Sequence, residues 1–214
     1  MTEEIASRFG SAFSQCPVVA IIRGVEPSNV IEVGDALFEA GIRVIEVPLN
    51  SPRPFESIEK LSHHFKDRAI IGAGTVLNSD EVAAVAKVGG EICVSPNVNN
   101  GVIEATLSVG MISMPGIYTA TEAFTAIAAG ARMLKLFPAS TEARENFKAM
   151  KAVLPKEVGV LAVGGVSHEN VAECLRLGFA GIGVGSEFYK PGRPADEIRK
   201  RAQRFIAAMQ VGQS

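Results

Sequence analysis

A short apolar run followed by an alanine-rich helical stretch occurs eight times along this chain. The runs are continuous rather than alternating, which is typical of strands buried on both faces. Alternation of strands and helices predicts a parallel sheet with right-handed crossover connections. The runs lie at residues 17–22, 44–49, 69–72, 92–95, 111–114, 133–137, 159–163 and 181–184.

Several of the helical stretches end in a glycine just before the next apolar run. A glycine there favours the left-handed cap that turns a helix back into a strand. The five are Gly41, Gly89, Gly110, Gly130 and Gly178. They indicate a repeat of about 20 to 25 residues, and eight repeats close a (β/α)8 barrel. The alternative is an open doubly wound sheet, but no G-x-G-x-x-G follows the first run and the units are similar in length. We therefore predict an α/β fold, a (β/α)8 TIM barrel.

An additional helix is predicted ahead of the barrel, because Ile5, Phe9 and Phe13 recur every four positions. No linker rich in glycine, serine and proline interrupts the chain. We expect one domain over residues 1–214, with the N-terminal helix at about 2–14 and the barrel at about 17–210.

Charge and cysteine content argue against several classes of function. The formal net charge of −2 offers no general attraction for nucleic acid or acidic membranes. Three cysteines lie far apart, as in proteins of reducing compartments, and the polar N-terminus does not resemble a signal peptide. No apolar run approaches the ~20 residues that span a bilayer. We expect a cytoplasmic protein without nucleic-acid or membrane partners.

One lysine lies in the middle of the sixth apolar run. Lys135 shares its strand face with Met133 and Phe137, while the leucines on either side point the other way. Burial lowers the pKa of a lysine, and a neutral amine can form a Schiff base with a ketone. The alternative is a lysine whose stem packs while its charged head reaches water. Both interpretations of Lys135 stay open at this point.

A carboxylate lies within the second run. Glu46 shares its strand face with Val44 and Pro48, so it faces the barrel interior if Val44 does. A buried carboxylate needs a partner or a role because its desolvation is costly. Glu46 is therefore either half of a salt bridge to Lys135 or a general acid/base whose pKa burial raises toward neutrality.

Further candidates follow the predicted strands, where active sites of such barrels lie. Arg23 and Thr75 follow the first and third runs, and Pro96 follows the fourth. Loops after the last two strands often bind phosphate through backbone N–H groups, although glycines there also serve plain turns. The candidates for a phosphate site are Gly164, Gly165, Gly185 and Ser186. The sequence contains no cluster of histidine, cysteine and aspartate, so no metal is expected.

The order and spacing of these motifs resemble the class I aldolases that cleave 2-keto-3-deoxy-6-phospho sugar acids, the KDPG/KHG aldolase family. The resemblance covers residues from about 16 to about 190. The matching segments are 21–24, 45–52, 71–76, 95–97, 114–116, 134–138, 163–165 and 183–186. The sequence Glu-Val-Pro-Leu-Asn-Ser-Pro at 46–52 and Val163 before two glycines are similar to the branch that acts on galactonate-derived acids.

The resemblance implies a carbon–carbon lyase of galactonate catabolism that works without a cofactor as a homotrimer. Its substrate would be 2-dehydro-3-deoxy-6-phosphogalactonate, and its products pyruvate and D-glyceraldehyde 3-phosphate. Lys135 would form the Schiff base and Glu46 would move protons. The implied substrate-binding residues are Arg23 and Thr75 for the carboxylate, Gly164, Gly165, Gly185 and Ser186 for the phosphate, and Pro96, Phe137 and Val163 around the pocket.

Alternative functions stay open. The substrate could be the C4 epimer derived from gluconate, alone or together with the galactonate acid. Another phosphate-binding barrel enzyme, such as an isomerase or synthase, would have no need of Lys135 as a covalent group. A sensor of sugar-acid phosphates should have lost Lys135 or Glu46, and this chain keeps both. A metal-dependent aldolase is disfavoured by the lack of ligands.

Overall fold

A computed structural model of the chain describes residues 2–210. In it, a parallel sheet is surrounded by helices, and one additional helix precedes the first strand. The strands are β1 Val18–Ile21, β2 Val44–Pro48, β3 Ile70–Gly74, β4 Ile92–Val94, β5 Ile112–Met114, β6 Gly116–Ile117, β7 Met133–Leu136, β8 Gly159–Val163 and β9 Gly181–Val184. The helices are α1 Glu3–Gln15, α2 Val30–Glu39, α3 Pro54–His64, α4 Ser79–Lys87, α5 Asn100–Ser108, α6 Ala120–Ala128, α7 Thr141–Lys151, α8 Val171–Leu177 and α9 Ala195–Gln210.

The sheet closes on itself through the segment that holds β5 and β6. Its strands follow the order β5-β4-β3-β2-β1-β9-β8-β7-β6, and all pairs are parallel. Only Pro115 separates β5, which pairs with β4, from β6, which pairs with β7. The predicted TIM barrel is confirmed, and the alternative of an open doubly wound sheet is wrong. The expectation of a single fifth strand is also wrong, because a proline has no N–H for the sheet and divides this segment into two short strands.

Side chains alternate between the barrel interior and the layer beneath the helices. Val19, Val44 and Ile70 belong to the interior cluster, whereas Ile45 and Leu134 pack among the helices. Phe9 and Phe13 of α1 join the interior cluster, with ring centroids 4.9 Å apart. A Cβ on Gly181, the first residue of β9, would lie 2.3 Å from the ring of Phe13. Phe9 lies beside Ile112 and Met133, which begin β5 and β7. Helix α1 therefore covers the N-terminal end of the barrel and leaves the other end for a site.

The expected glycine caps are confirmed. Their φ angles lie between 81° and 106°, in the left-handed region that a side chain disfavours. The five glycines are Gly41, Gly89, Gly110, Gly130 and Gly178. Helices that end at such a cap lead directly into the next strand, which keeps the repeat short enough for a barrel of this size.

Two further features concern the environment of the protein. In the part of the chain from residue 2 to residue 210, none of the helices combines the length and apolarity needed to cross a membrane. The three cysteines, Cys16, Cys93 and Cys174, are free and buried.

Candidate active site

Lys135 and Glu46 both point into the barrel interior from nearly opposite parts of the strand order. Lys135 lies on β7 with its neighbours Leu134 and Leu136 directed toward the helices, and Glu46 lies on β2 above Val44. Only 7% of Lys135 and 2% of Glu46 are exposed. A buried amine and a buried carboxyl group therefore share the interior of one barrel.

Burial changes the proton affinity of both groups. Desolvation raises the pKa of Glu46 to about 7, against the opposing effect of the positive charges of Lys135 and Arg23. Desolvation also lowers the pKa of Lys135, and Arg23 lowers it further, while the negative charge of Glu46 opposes the shift. At neutral pH a carboxyl group near its pKa can both take and return protons.

The two side chains do not form a salt bridge. Across residues 2–210, no hydrogen bond or ion pair joins Lys135 to Glu46, and buried Oε2 of Glu46 has no hydrogen-bond partner. The ammonium nitrogen of Lys135 lies 4.7 Å from the ring centroid of Phe137. No direct salt bridge therefore holds Glu46 to Lys135, although each charge affects the pKa of the other group. Oε2 of Glu46 can accept a hydrogen bond from a bound molecule.

Arg23 and Thr75 meet beside the two buried groups. Nη2 of Arg23 is 3.5 Å from Oγ1 of Thr75, and Nη1 donates a hydrogen bond to Oδ1 of Asn50. Thr75 has φ of 59°, an uncommon conformation for a β-branched residue that costs roughly 1–3 kcal/mol and is frequent at functional sites. Ser95 supports it by donating to the carbonyl of Val76 at 2.8 Å. This arrangement presents a guanidinium at the C-terminal end of the barrel.

The glycine loops after β8 and β9 lie next to each other because these two strands pair. Gly164 and Gly165 have φ of 89° and 75°, two successive left-handed residues. The carbonyl of Gly185 accepts hydrogen bonds from the N–H groups of Phe188 and Tyr189, each at 3.0 Å. The N–H groups of Ser186 and Glu187 lie at the start of the turn that these two hydrogen bonds form. N–H groups at the start of a helical turn can bind an anion.

The remaining sequence-predicted residues also lie at the C-terminal ends of strands. Pro96 follows β4, and the half-exposed Phe137 follows β7. Val163 is the last residue of β8 and packs closely against the backbone of Gly183, where a Cβ would be 2.6 Å from its methyl group. The structure therefore brings all eleven predicted residues to the same end of one barrel.

Several residues outside the predicted site set also make contacts in this region. Asn50 contacts Arg23, and Ser51 accepts a hydrogen bond from the N–H of Gly24 at 3.0 Å. Nδ1 of His168 lies 2.8 Å from Oε1 of Glu187. Within residues 2–210 there is no group of three or more His, Cys, Asp or Glu side chains placed to hold a metal ion.

Comparisons with known proteins agree on one family. The family model described as KDPG and KHG aldolase matches residues 10–202. The 2-dehydro-3-deoxy-6-phosphogalactonate aldolase of Escherichia coli K12 is 42% identical over 91% of this chain and 95% of its own length. A probable 2-dehydro-3-deoxy-6-phosphogalactonate aldolase of Rhizobium meliloti is 46% identical over 90% of this chain and 91% of its own. A solved structure described as native KDPGal superposes with a TM-score of 0.91 at 41% identity, covering 93% of this chain and 97% of that one.

Proposed function

The chain belongs to the KDPG and KHG aldolase family, and from that membership we propose its reaction. It is a class I aldolase that cleaves 2-dehydro-3-deoxy-6-phosphogalactonate to pyruvate and D-glyceraldehyde 3-phosphate. Two relatives above 40% identity are named for the galactonate-derived acid, which supports this epimer. The observation that carries the proposed chemistry is the buried amine of Lys135 in the same interior as the unpartnered carboxyl oxygen of Glu46.

Lys135 provides the covalent step. Its amine attacks the C2 ketone to give a carbinolamine, which loses water to become an imine. The lowered pKa of Lys135 supports this role because a larger fraction of the amine is neutral and nucleophilic. The protonated imine then takes up the electron pair of the C3–C4 bond as that bond breaks. This chemistry needs no cofactor, since the imine itself is the electron sink.

Glu46 moves the protons of the same reaction. As the carboxylate it removes the proton of the C4 hydroxyl while the C3–C4 bond breaks, which releases glyceraldehyde 3-phosphate and leaves an enamine on Lys135. As the acid it returns a proton to C3, and water then hydrolyses the imine to free pyruvate and the amine. A pKa of about 7 suits both directions of transfer at neutral pH.

The remaining residues bind the two ends of the substrate. Arg23 and Thr75 bind the carboxylate, and a guanidinium held by Asn50 is suited to that task. The phosphate is bound by the two glycine loops, through Gly164, Gly165, Gly185 and Ser186. The pocket walls are formed by Pro96, Phe137 and Val163, with Val163 next to C4.

The active form is a homotrimer in the cytoplasm. The large apolar side chains of Leu77, Tyr118 and Phe124 are exposed. They follow β3 and β6 or lie on α6, in neighbouring parts of the barrel. Exposed apolar surface of this kind favours contact with another copy of the chain. Buried, unpaired cysteines fit a reducing compartment. Light scattering of the purified protein tests the assembly, since the mass of a single chain would contradict the trimer.

A direct assay tests the reaction. The enzyme is given 2-dehydro-3-deoxy-6-phosphogalactonate and its C4 epimer separately, and pyruvate and glyceraldehyde 3-phosphate are both measured. We expect equal amounts of the two products and a higher kcat/KM for the galactonate epimer. A higher kcat/KM for the gluconate epimer would contradict the choice of substrate, and no cleavage of either acid would contradict the aldolase.

A further inference from the structure

Two side chains outside the barrel interior join the loops that follow β8 and β9. Nδ1 of His168 lies 2.8 Å from Oε1 of Glu187, and only 20% and 22% of these side chains are exposed. His168 comes shortly after Gly165, and Glu187 directly after Ser186. The hydrogen bond therefore connects the two loops to which the proposed function assigns the phosphate.

Other side chains fix the shape of each loop separately. Nδ2 of Asn170 donates to the carbonyl of Gly165 at 2.9 Å, and its Oδ1 accepts from the N–H of Ser167 at 2.9 Å. In the other loop, Nη1 of Arg193 donates to the carbonyls of Ser186 and Glu187 at 3.1 and 3.0 Å. These contacts lie within one loop or beneath it, so they do not set the separation of the two loops.

Sheet pairing stops holding the two segments together before the glycine loops. The last paired residues of β8 and β9 are Val163 and Gly183. Beyond them, in the part of the chain that the structure describes, the bond between His168 and Glu187 is the only side-chain hydrogen bond from one loop to the other. Both loops also pack into the core through buried apolar residues such as Val166 and Phe188. The bond between His168 and Glu187 is the direct side-chain link between the polar parts of the two loops.

We propose that His168 and Glu187 are positioning residues that hold the two glycine loops at the separation at which their N–H groups bind one phosphate. The proposal rests on the proposed function. A phosphate bound by both loops needs the N–H groups of each loop at hydrogen-bond distance. A displacement of one loop by about 1 Å is enough to weaken such hydrogen bonds strongly. The imidazole also reduces the repulsion that an unpaired carboxylate next to Ser186 would exert on a phosphate dianion.

Steady-state kinetics with two substrates tests the proposal. The substrates are 2-dehydro-3-deoxy-6-phosphogalactonate and the same acid without its phosphate, and inorganic phosphate is the competing anion. His168→Ala should raise KM for the phosphorylated acid about tenfold and weaken inhibition by phosphate by a similar factor. It should leave kcat within about twofold and kcat/KM for the unphosphorylated acid unchanged.

Three variants and one matched control separate positioning from a general loss of structure. Glu187→Ala should reproduce the effect, and Glu187→Gln, which keeps an oxygen that can accept from the imidazole, should restore KM to within about threefold of wild type. The double variant H168A/E187A should lose no more than either single variant. His64→Ala is the control, because Nε2 of His64 lies 2.7 Å from Oδ1 of Asp35 in a similar pair away from the loops.

The outcomes distinguish the two proposals. If the wild-type enzyme prefers the phosphorylated acid and His168→Ala and Glu187→Ala leave that preference unchanged, the positioning role is wrong and the proposed function stands. Equal losses on both substrates would also contradict the positioning role, since they indicate a structural effect only. A wild-type enzyme with no preference and no inhibition by phosphate would overturn the phosphate site itself, and the positioning role with it.

Discussion

The carboxyl group of Glu46 occupies the space in which a side chain at position 74 would lie. A Cβ built on Gly74 would be 1.9 Å from Oε2 of Glu46 and 2.3 Å from its Cδ. Glu46 is on β2 and Gly74 ends β3, the neighbouring strand. The glycine therefore lets the carboxyl group lie across the sheet in the barrel interior.

Gly74→Ala should displace this carboxyl group without unfolding the protein. The atoms that a new Cβ would meet are those at the end of the flexible Glu46 side chain, which can move aside. We expect kcat to fall roughly 10- to 100-fold, as displacements of about 1 Å do in active sites. The control is Gly10→Ala, since a Cβ at Gly10 has no neighbour within 4 Å and kcat should not change. Unchanged kcat in Gly74→Ala would mean that the position of Glu46 does not matter for catalysis.

Replacing the carboxyl group itself should separate imine formation from turnover. Glu46→Gln should slow turnover by ~10²–10⁴-fold, the usual contribution of acid/base catalysis, while imine formation on Lys135 stays detectable. Glu91→Gln is a matched control, because Glu91 is a partly buried carboxylate paired with Arg8 at 2.5 Å, at the other end of the barrel. Normal turnover in Glu46→Gln would remove Glu46 from the mechanism.

The raised pKa of Glu46 also predicts how stability depends on pH. Between its unfolded value of 4.5 and its folded value of about 7, the native state holds a proton that the unfolded state releases. The free energy of unfolding of the wild type therefore falls as pH rises through this range and stays lower above it. The side chain at position 46 cannot ionise in Glu46→Gln, so the variant lacks this loss of stability. The Tm of the variant minus the Tm of the wild type should therefore be larger at about pH 8 than at about pH 5. Calorimetry at the two pH values that gives the same difference in Tm would contradict the raised pKa.

A single side chain on β8 should influence the choice of epimer. Val163 is buried at the end of this strand, and Val163→Thr adds a hydroxyl group with little change in volume. The ratio of kcat/KM values for the two C4 epimers should move toward the gluconate-derived acid. Val19→Thr, a matched change at an interior position of β1, should leave the ratio unchanged. If Val163→Thr has the same ratio as wild type, the choice of epimer depends on other residues.

The barrel could be predicted because its signals are local. Each apolar run is a strand buried on both faces, and a glycine such as Gly110 marks the end of the preceding helix. The interior position of Glu46 could also be predicted, because Glu46 and Val44 are two residues apart on one strand and therefore point to the same face. The additional strand β6 could not be predicted, because it has only two residues, Gly116 and Ile117, and lies beyond Pro115, after the end of the fifth apolar run.

What sequence reasoning missed depends on contacts between different strands. The bond from Arg23 to Asn50 and the space that Gly74 leaves for Glu46 join residues more than 20 positions apart, so no local pattern reveals them. The left-handed conformation of Thr75 is likewise imposed by its surroundings, because a β-branched residue does not adopt it readily on its own. These contacts set the geometry of the site rather than the fold.

Trapping the imine tests the central claim most directly. The protein is reduced with borohydride in the presence of pyruvate, digested and examined by peptide mass spectrometry, with Lys135→Arg treated in parallel. We predict a pyruvate-derived adduct on the peptide that contains Lys135 and none in the variant. A folded wild-type protein that carries no adduct, or one whose adduct lies on another lysine, would contradict the assignment of Lys135 as the Schiff-base residue.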